Sequence, residues 1–245
     1  MITSNNNAKV KQVVQWQTKA KERRKDHVFL AEGIRMCEEA PVKNVREVYL
    51  TEELEQKIRQ HAQNGADPHP PRGILTGGDQ PVYDLTQLLE QPDPLFLMLE
   101  NLQDPGNLGT MIRTGEGTGI TGVIMNNQTV DIFNPKTIRA PMGSIFRVPF
   151  VYVPDLAPVL EQMHAKGIHT YAAHLKGQEY YDSFSFREPT AFLIGNEGNG
   201  LSKEISDQAG QYLKIPMEGR VESLNASIAA ALLMYEAHRQ RSARL

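Results

Sequence analysis

Strand-like and helix-like segments alternate along this chain from residue 95 onward. The apolar runs typical of buried strands are Leu95–Leu99, Gly122–Met125, Thr170–Ala172, Ala191–Ile194 and Tyr212–Ile215. Segments with the apolar spacing of helices lie among them. This alternation predicts a parallel sheet with helices on its faces, which is an α/β fold. Because ligands bind beyond the carboxyl ends of the strands in such sheets, we expect a site in the loops that follow the strands.

The part of the chain before residue 90 predicts a smaller, mixed α/β domain. Short strands are expected at Phe29–Leu30 and Val48–Leu50, and helices at Ile34–Ala40 and Glu52–Gln63. A further helical pattern, with lysines between its apolar residues, begins at Val10. These elements are short, so this domain has a smaller core than the one that follows it.

A proline-rich segment separates the two parts. Residues 65–94 contain six prolines and the pair Gly77-Gly78, which interrupt any long helix or strand. We therefore predict that part of this segment is loop, with the joint between domains at Gln91–Pro94, and that two domains occupy residues 1–90 and 95–245.

Charge is distributed unevenly along the chain. The formal net charge is −3, yet the first 25 residues carry seven Lys or Arg residues and a single acidic residue, Glu22. This concentration indicates a surface that can contact nucleic-acid phosphate, although a solvated helix face explains it equally well. The residues proposed to contact phosphate are Lys9, Lys11, Arg23, Arg24 and Lys25.

The composition argues against several other classes of protein. No apolar run reaches the 18 residues of a membrane-spanning helix, and the first residues lack a secretory apolar stretch. Cys37 is the sole cysteine, and the seven histidines are scattered without the spacing of metal ligands. We therefore expect a cytoplasmic protein with neither a membrane association, an internal disulfide nor a metal.

Two glycine-containing loops follow two of the predicted strands. Glycines in Asp104–Thr110 permit tight turns, and the next helix, which carries Arg113, directs free N–H groups toward a ligand. The loop Gly195–Ser202 has three glycines within six positions and contains Glu197, whose carboxylate can meet a cation or cap backbone amides. Taken alone, each loop is better explained as an ordinary turn, with Arg113 ion-paired on the surface in the first and a capping side chain in the second.

A third loop leads into the last helix. Ser223 is a good N-cap residue, and Asn225 then lies in the first turn of a helix predicted over Leu224–Arg239. Eight consecutive residues, Ile228–Tyr235, are apolar or alanine. A helix that is apolar all round is buried or shared with a partner. We predict core on one side and a homodimer interface on the other, with a fully buried helix as the alternative.

Together the three loops, in this order and each after a strand-like run, resemble the SpoU–TrmH branch of the SPOUT RNA methyltransferases. The segment Asp131–Arg139 resembles this family as well. The first domain is similar, through Lys9–Lys11 and Phe29–Gly33, to the ribosomal-protein-like RNA-binding domain that often precedes the enzyme. It departs from that pattern around Thr76–Gln91, where the Gln-Gly-Ile-like turn of many relatives is not evident.

The resemblance implies transfer of a methyl group from S-adenosylmethionine to a ribose 2′-hydroxyl of RNA. It also implies a deep trefoil knot in the C-terminal domain and a homodimer formed through that domain. Large-subunit (23S) ribosomal RNA is the favoured substrate. A transfer-RNA methyltransferase and a non-catalytic RNA-binding or ribosome-assembly protein are the alternatives.

The resemblance also assigns residues to roles. Those expected to bind the cofactor are Gly195, Ile215, Met217, Leu224 and Asn225. Those expected to act in catalysis and substrate handling are Asn107, Arg113, Glu197, Ser223 and Asn225.

Physical chemistry limits what each of these residues can do. An arginine is effectively always protonated, so we expect Arg113 to pair with an RNA phosphate and stabilise the emerging oxyanion rather than act as a base. Asn107 and Asn225 are expected to orient groups through paired donors and acceptors. Ser223 is expected to tie the helix cap to the cofactor loop, and Glu197 to balance the sulfonium charge or fix Arg113.

Overall fold

The computed structural model describes residues 4, 6–53, 55, 74–221 and 223–242. The α-helices are α1 (Ala8–Thr18), α2 (Ala20–Asp26), α3 (Ile34–Glu39), α4 (Leu85–Leu89), α5 (Pro105–Thr118), α6 (Pro135–Arg139), α7 (Ala157–Ala165), α8 (Lys203–Gln208) and α9 (Ala226–Ser242). The strands are β1 (Val28–Glu32), β2 (Val45–Leu50), β3 (Ile74–Asp79), β4 (Leu95–Leu99), β5 (Gly122–Asn126), β6 (Phe150–Val153), β7 (His169–Ala173), β8 (Glu179–Tyr180), β9 (Thr190–Ile194) and β10 (Gln211–Lys214). Single 3₁₀ turns lie at Val42–Asn44, Ser144–Phe146 and Tyr181–Ser183.

The chain forms two compact units. The first comprises Met1–Pro81 with Asp131–Phe146, and the second comprises Val82–Val130 with Arg147–Leu245. The predicted domain boundaries put the segment Asp131–Phe146 in the second domain, whereas the structure groups it with the N-terminal unit. The reason is aromatic packing, because the rings of Phe133 and Phe146 lie 5.9 and 4.9 Å from the ring of Phe29, centroid to centroid.

The first unit contains a three-stranded antiparallel sheet in the order β1-β3-β2. Its central strand, β3, lies in the proline-rich segment, part of which is predicted to be loop and where no strand is predicted. At Gly78 an added Cβ would lie 2.5 Å from the carbonyl oxygen of Asn44 and 2.7 Å from the Phe29 ring. Glycine at this position therefore allows the strand to pack closely against its neighbours, and it does not end the strand. The predicted helix Glu52–Gln63 falls largely outside the described residues.

The second unit contains a seven-stranded sheet in the order β6-β5-β4-β9-β7-β10-β8. Every neighbouring pair is parallel, which confirms the predicted α/β fold with a parallel sheet. The five predicted apolar runs coincide with β4, β5, β7, β9 and β10, with one residue, Ile215, falling outside. Strands β6 and β8 were not predicted, because both are short and neither is fully buried. Strand β6 is half-buried over part of its length, and both residues of β8 are exposed.

The order of the strands determines where a site can form. Strands β4, β9, β7 and β10 are neighbours, so the loops that leave their carboxyl ends lie along one edge of the sheet. Helix α5 follows the loop after β4, helix α9 follows the loop after β10, and the two helices pack against each other. Within the described part of the chain, no helix is long and apolar enough to cross a bilayer. The trefoil knot stays a prediction.

Candidate active site

The loop after β4 is organised by the cap of helix α5. The Asp104 side chain accepts a 2.7 Å hydrogen bond from the Asn107 backbone N–H, and Pro105 occupies the first helical position, where a missing N–H costs nothing. Asn107 is therefore the third residue of the helix, and it is 8% exposed. Its side-chain amide is held at the start of α5, facing the neighbouring loops.

Glu197, from the loop after β9, completes this cap. Its carboxylate accepts hydrogen bonds from the backbone N–H groups of Gln103 (3.1 Å) and Asp104 (2.9 Å) and from Nδ2 of Asn107 (3.0 Å). Burial raises the pKa of Glu197, but these hydrogen bonds outweigh burial and hold the pKa below its usual value of 4.5. A carboxylate at the positive end of a helix is further favoured by the helix dipole. Glu197 is thus a structural anion that joins two loops.

Asn225, from the loop after β10, is the N-cap of α9. Its Oδ1 accepts from the backbone N–H groups of Ser227 (2.8 Å) and Ile228 (3.3 Å), and its carbonyl accepts from Ala229 (3.0 Å). The predictions that Ser223 caps this helix and that Asn225 lies inside it are therefore wrong. Ser223 lies two residues before the cap, where its side chain lines a cavity described below.

One line of hydrogen bonds joins all three loops. Nδ2 of Asn225 donates to Oδ1 of Asn107 at 2.9 Å, and Nδ2 of Asn107 donates to Glu197. We call these three residues the asparagine chain. Each amide uses its oxygen on one side and its nitrogen on the other, so the chain has a defined direction from the α9 cap to the carboxylate.

The loop after β9 is a tight hairpin. Asn196 and Gly200 exchange two backbone hydrogen bonds of 3.0 and 2.9 Å, and Gly200 has a φ of +69°. A Cβ on Gly195 would lie 2.0 Å from the Gly200 carbonyl carbon, so only glycine fits there. The Asn196 side chain also donates to the backbone carbonyl of Asn101 at 2.9 Å. The hairpin is therefore attached to the loop after β4 at a second point.

A cavity of about 290 Å³ opens at this edge of the sheet. Residues after β7, β9 and β10 line it, together with the start of α9. Gly195, Ile215, Met217 and Leu224 are among its lining residues, as the resemblance implies, whereas Asn225 is not. Glu197 also lines it, so the asparagine chain borders the cavity at one end.

The lining suits an adenosine group. Ile194, Ile215 and Leu224 supply apolar walls for a flat ring, and the hairpin Gly195–Gly200 supplies backbone polar groups close to them. Sites for such ligands combine mainly apolar walls with a few placed polar groups, so the residues present fit S-adenosylmethionine. In that case the adenosine lies against these walls, and Glu197 is the acidic group at the edge of the cavity.

The lining residues that sequence reasoning missed include His174 and Lys214, which lie at the ends of β7 and β10. The rule that ligands bind beyond the carboxyl ends of parallel strands would have identified both residues. The His174 ring stacks on Tyr212, with centroids 4.9 Å apart, and its Nδ1 accepts from the Lys176 backbone N–H at 3.1 Å. Burial and the nearby Lys176 charge lower the pKa of His174, so it presents a neutral ring to the cavity.

Arg113 is not brought into the cavity. It is exposed on the third turn of α5, and no described residue forms an ion pair or hydrogen bond with its side chain. It lies six residues after Asn107, which is about 9 Å along the helix and on a different face. Glu197 was expected either to balance the sulfonium charge or to fix Arg113. The second role has no support, because the hydrogen-bond partners of Glu197 are Asn107 and two backbone amides.

The basic residues of the first unit differ in their availability. Arg23 is 2% exposed, and its guanidinium donates to Asp131 at 2.6 and 3.0 Å and to the Trp16 carbonyl. The expectation that Arg23 contacts phosphate is corrected on this ground, since it has no surface to offer. Lys9 pairs with Glu47 at 2.6 Å and is otherwise open to solvent. The exposed members of the predicted set are Lys9, Lys11, Arg24 and Lys25.

Comparison with known proteins agrees with this geometry. The SpoU rRNA Methylase family matches residues 94–235, and the MRM3-like substrate binding domain matches residues 7–69. The chain is 32% identical, over 96% of its length and 97% of the relative's, to the 23S rRNA (guanosine(2553)-2′-O)-methyltransferase RlmP of Bacillus subtilis. It belongs to the SpoU rRNA methylase family.

Solved structures support the same conclusion. The SpoU methyltransferase AviRb from Streptomyces viridochromogenes, in complex with AdoMet, is 28% identical with a TM-score of 0.83, covering 97% of this chain and 99% of that one. An AdoMet-bound rRNA methyltransferase from Sinorhizobium meliloti has the same identity and TM-score, covering 97% of both chains. This member of the SpoU family is accordingly an RNA 2′-O-methyltransferase that uses S-adenosylmethionine. Among the described residues, no cluster of His, Cys, Asp and Glu side chains could hold a metal ion.

Proposed function

We propose that this SpoU methylase modifies a ribose 2′-hydroxyl of 23S ribosomal RNA in the cytoplasm. The observation that carries the proposal is the asparagine chain, which holds three loops together beside a cavity suited to S-adenosylmethionine. A relative similar over nearly the whole chain methylates guanosine 2553 of 23S rRNA, which supports the large-subunit RNA as substrate. The match of residues 7–69 to a substrate-binding domain supports RNA binding by the N-terminal part.

Catalysis in this proposal depends mainly on positioning. The cofactor supplies the methyl group, and the hydroxyl oxygen must approach in line with the bond that breaks. Good alignment of the two reactants contributes roughly 7–11 kcal/mol to such a reaction. The asparagine chain provides this alignment by fixing the loops that carry Glu197 and Asn225. The carboxylate of Glu197 also balances the positive sulfonium, while Ser223 lines the cavity and closes it on the α9 side.

Arg113 acts on the RNA. Its guanidinium is exposed and free of described partners, so it can form a bidentate pair with a phosphate of the bound strand. That pair draws the target ribose to the site, stabilises the developing oxyanion and leaves a phosphate oxygen to accept the hydroxyl proton. The exposed basic residues Lys11, Arg24 and Lys25, with Lys9, attract the remaining backbone.

The second unit forms a homodimer in this proposal. Helix α9 buries one face, while Ile228, Leu232 and Tyr235 remain 49%, 36% and 53% exposed along the other. This apolar stripe continues onto α5, because a Cβ at Gly117 would lie 3.4 Å from the Tyr235 hydroxyl. Light scattering at micromolar concentration is expected to show a dimer, and Leu232→Glu a monomer. A monomeric unaltered protein would overturn this part.

Transfer of labelled methyl from S-adenosylmethionine to unmodified RNA tests the function. The RNA is separated into large-subunit, small-subunit and transfer fractions after reaction, and alkali-resistant dinucleotides report 2′-O-methylation. Label confined to the large-subunit fraction is the expected result. Label in the transfer-RNA fraction would show that the protein is a transfer-RNA methyltransferase, the second candidate. No label, together with no binding of S-adenosylhomocysteine, would favour a non-catalytic RNA-binding protein.

A further inference from the structure

A second cavity lies in the first unit, and none of the residues given a role above lines it. It has a volume of about 370 Å³. Its walls come from α1, the end of α2 and all three strands, and we call it the Trp16 pocket. The residues that define it are Gln12, Trp16, Asp26, Val28, Arg46 and Gly77.

The pocket exists because the central strand has no side chain at Gly77. Leu75 packs against the cluster of Trp16, Val28 and Leu30, and a Cβ on Gly77 would lie 3.6 Å from Leu30, so Leu75 and Gly77 face the same side of the sheet as Trp16 of α1. On β2, Glu47 is opposite Gly77 and faces the same way, since it pairs with Lys9 of α1. Glycine at the centre of this face leaves an empty space between the helix and the outer strand.

The chemistry of the walls is selective. Trp16 and Val28, which are 8% and 1% exposed, form the apolar part of the wall, and Gly77 lines the pocket beside them. The Arg46 guanidinium is held by Asp79 and by the Asp26 carbonyl at 3.3 Å, so its plane is fixed beside the opening. A flat ring bounded by an aromatic side chain and a guanidinium is the usual environment of an unstacked nucleobase.

Asp26 supplies the polar recognition. Its Oδ2 accepts from the Trp16 indole N–H at 2.7 Å, which fixes the carboxylate in the pocket wall. No described residue donates to its Oδ1. Glu47 differs, since its two oxygens are taken by Lys9 and by the Tyr49 hydroxyl. Asp26 therefore lines the pocket with one carboxylate oxygen that no described residue uses and a second oxygen that accepts a single hydrogen bond, so both oxygens can accept from a ligand.

We propose that the Trp16 pocket binds an unpaired guanine base of the RNA substrate. A carboxylate accepts hydrogen bonds and donates none, so it selects a base edge made of donors. Guanine presents N1–H and the N2 amino group side by side, whereas every other base places a carbonyl or ring-nitrogen acceptor next to its donor. The exposed lysines of α1 hold the flanking phosphates, and the base enters beside them. This proposal rests on the proposed function, because it takes RNA as the partner.

Trp16 reports directly on its own pocket, because it is the single tryptophan of the chain. The full-length protein is titrated with the pentamers UUGUU, UUIUU (inosine at the centre), UUAUU and UUUUU, with emission excited at 295 nm. UUGUU is expected to quench Trp16 saturably and to bind about tenfold more tightly than UUIUU, which lacks the N2 amino group. Equal binding of all four pentamers, or no quenching by any, would overturn the proposal.

Two variants test the pocket and one serves as control. Asp26→Asn still accepts from the indole but now presents an amide, so the preference for UUGUU over UUIUU should disappear. Gly77→Ala places a Cβ at ordinary contact distance, 3.6 Å from Leu30, so the unit folds while the pocket becomes smaller and UUGUU binds more weakly. Gln15→Ala, on the exposed side of α1, should change nothing. A guanine preference that survives both pocket variants would contradict the assignment.

The same proteins separate this proposal from the proposed function. If the protein methylates large-subunit RNA but shows no guanine preference among the pentamers, the proposed function stands and the guanine pocket is contradicted. If guanine quenches Trp16 selectively but no RNA is methylated, the pocket stands and the proposed function is contradicted.

Discussion

The two buried polar assemblies of this protein differ in what they leave open. In the first unit, Arg23 and Asp131 form an ion pair in which both side chains are more than nine-tenths buried. In the second unit, the asparagine chain buries Asn107 but ends at Glu197, which borders a cavity. The first assembly is sealed from solvent and from ligands, whereas the second reaches the place where a ligand binds.

This difference teaches which polar residues to regard as functional. A buried, fully partnered arginine stabilises its unit, however basic its neighbours in the sequence are. A partnered carboxylate serves a site only when it also lines a cavity, as Glu197 does. Arg113 and Asp26, which both meet RNA in our proposals, each retain a donor or an acceptor that no described residue uses.

The sealed pair is expected to give the largest effect. Asp131→Ala leaves the Arg23 charge buried without its partner, so the free energy of unfolding should fall by about 3–5 kcal/mol. Urea unfolding followed by Trp16 emission measures it, since Trp16 lies beside Arg23. Lys25→Ala, an exposed neighbour, is the control and should stay within about 0.5 kcal/mol. A loss below about 1 kcal/mol in Asp131→Ala would show that the pair is not the sealed element described here.

The second unit, whose polar assembly reaches a cavity, is tested through Arg113. Arg113→Ala should lower methyl transfer at least about 100-fold, in line with the loss of one electrostatic stabiliser. Binding of S-adenosylhomocysteine, followed by calorimetry, should remain nearly unchanged, since Arg113 is not part of the cavity. Arg113→Lys keeps the charge but loses the bidentate geometry, and should recover part of the rate. Unchanged turnover in Arg113→Ala would remove Arg113 from the mechanism.

Much of the second unit could be predicted from the sequence because its strands are buried on both faces. Continuous apolar runs such as β4 and β9 are strong signals, and parallel pairing then brings their loops to one edge. The side-chain bonds between those loops could not be predicted, because no pattern in one chain shows that Asn225 reaches Asn107. The same holds for the cap of α9, where Ser223 and Asn225 are equally good N-cap types.

The first unit was less predictable for a related reason. Its central strand contains Gly77 and Gly78, which are ordinarily loop signals, and only the structure shows that Phe29 packs against the backbone at Gly78 while Gly77 faces Leu30. Arg23 was placed on an RNA-binding surface because the sequence shows charge but not burial. Its partner is 108 positions away, in a segment that the sequence assigns to another domain.

Asn225 has two functions: it caps α9, and it donates to Asn107 in the asparagine chain. Two substitutions separate them. Asn225→Ala removes the α9 cap and should lower the unfolding free energy by about 1 kcal/mol. Asn225→Asp keeps the acceptor, and the helix dipole favours its charge, so the stability should largely return. It cannot donate to Asn107, however, so methyl transfer should stay about tenfold below that of the unaltered protein. Thermal unfolding and initial rates measure the two effects, and an Asp variant with full activity would show that the link to Asn107 is dispensable.

The smallest effect is the dependence of stability on pH that Glu197 confers. Its pKa in the folded protein lies below the usual 4.5, so its contribution is complete above that pH and is lost as the pH falls through the lower, folded value. At pH 7 the unaltered protein should therefore melt at a higher temperature than Glu197→Gln, whose amide cannot accept all three hydrogen bonds. The difference should shrink as the pH falls below about 4.5, because protonation removes the same charge from the carboxylate. A difference in melting temperature that stays constant, or grows, from pH 7 to pH 3 would show that Glu197 does not join the loops as an anion.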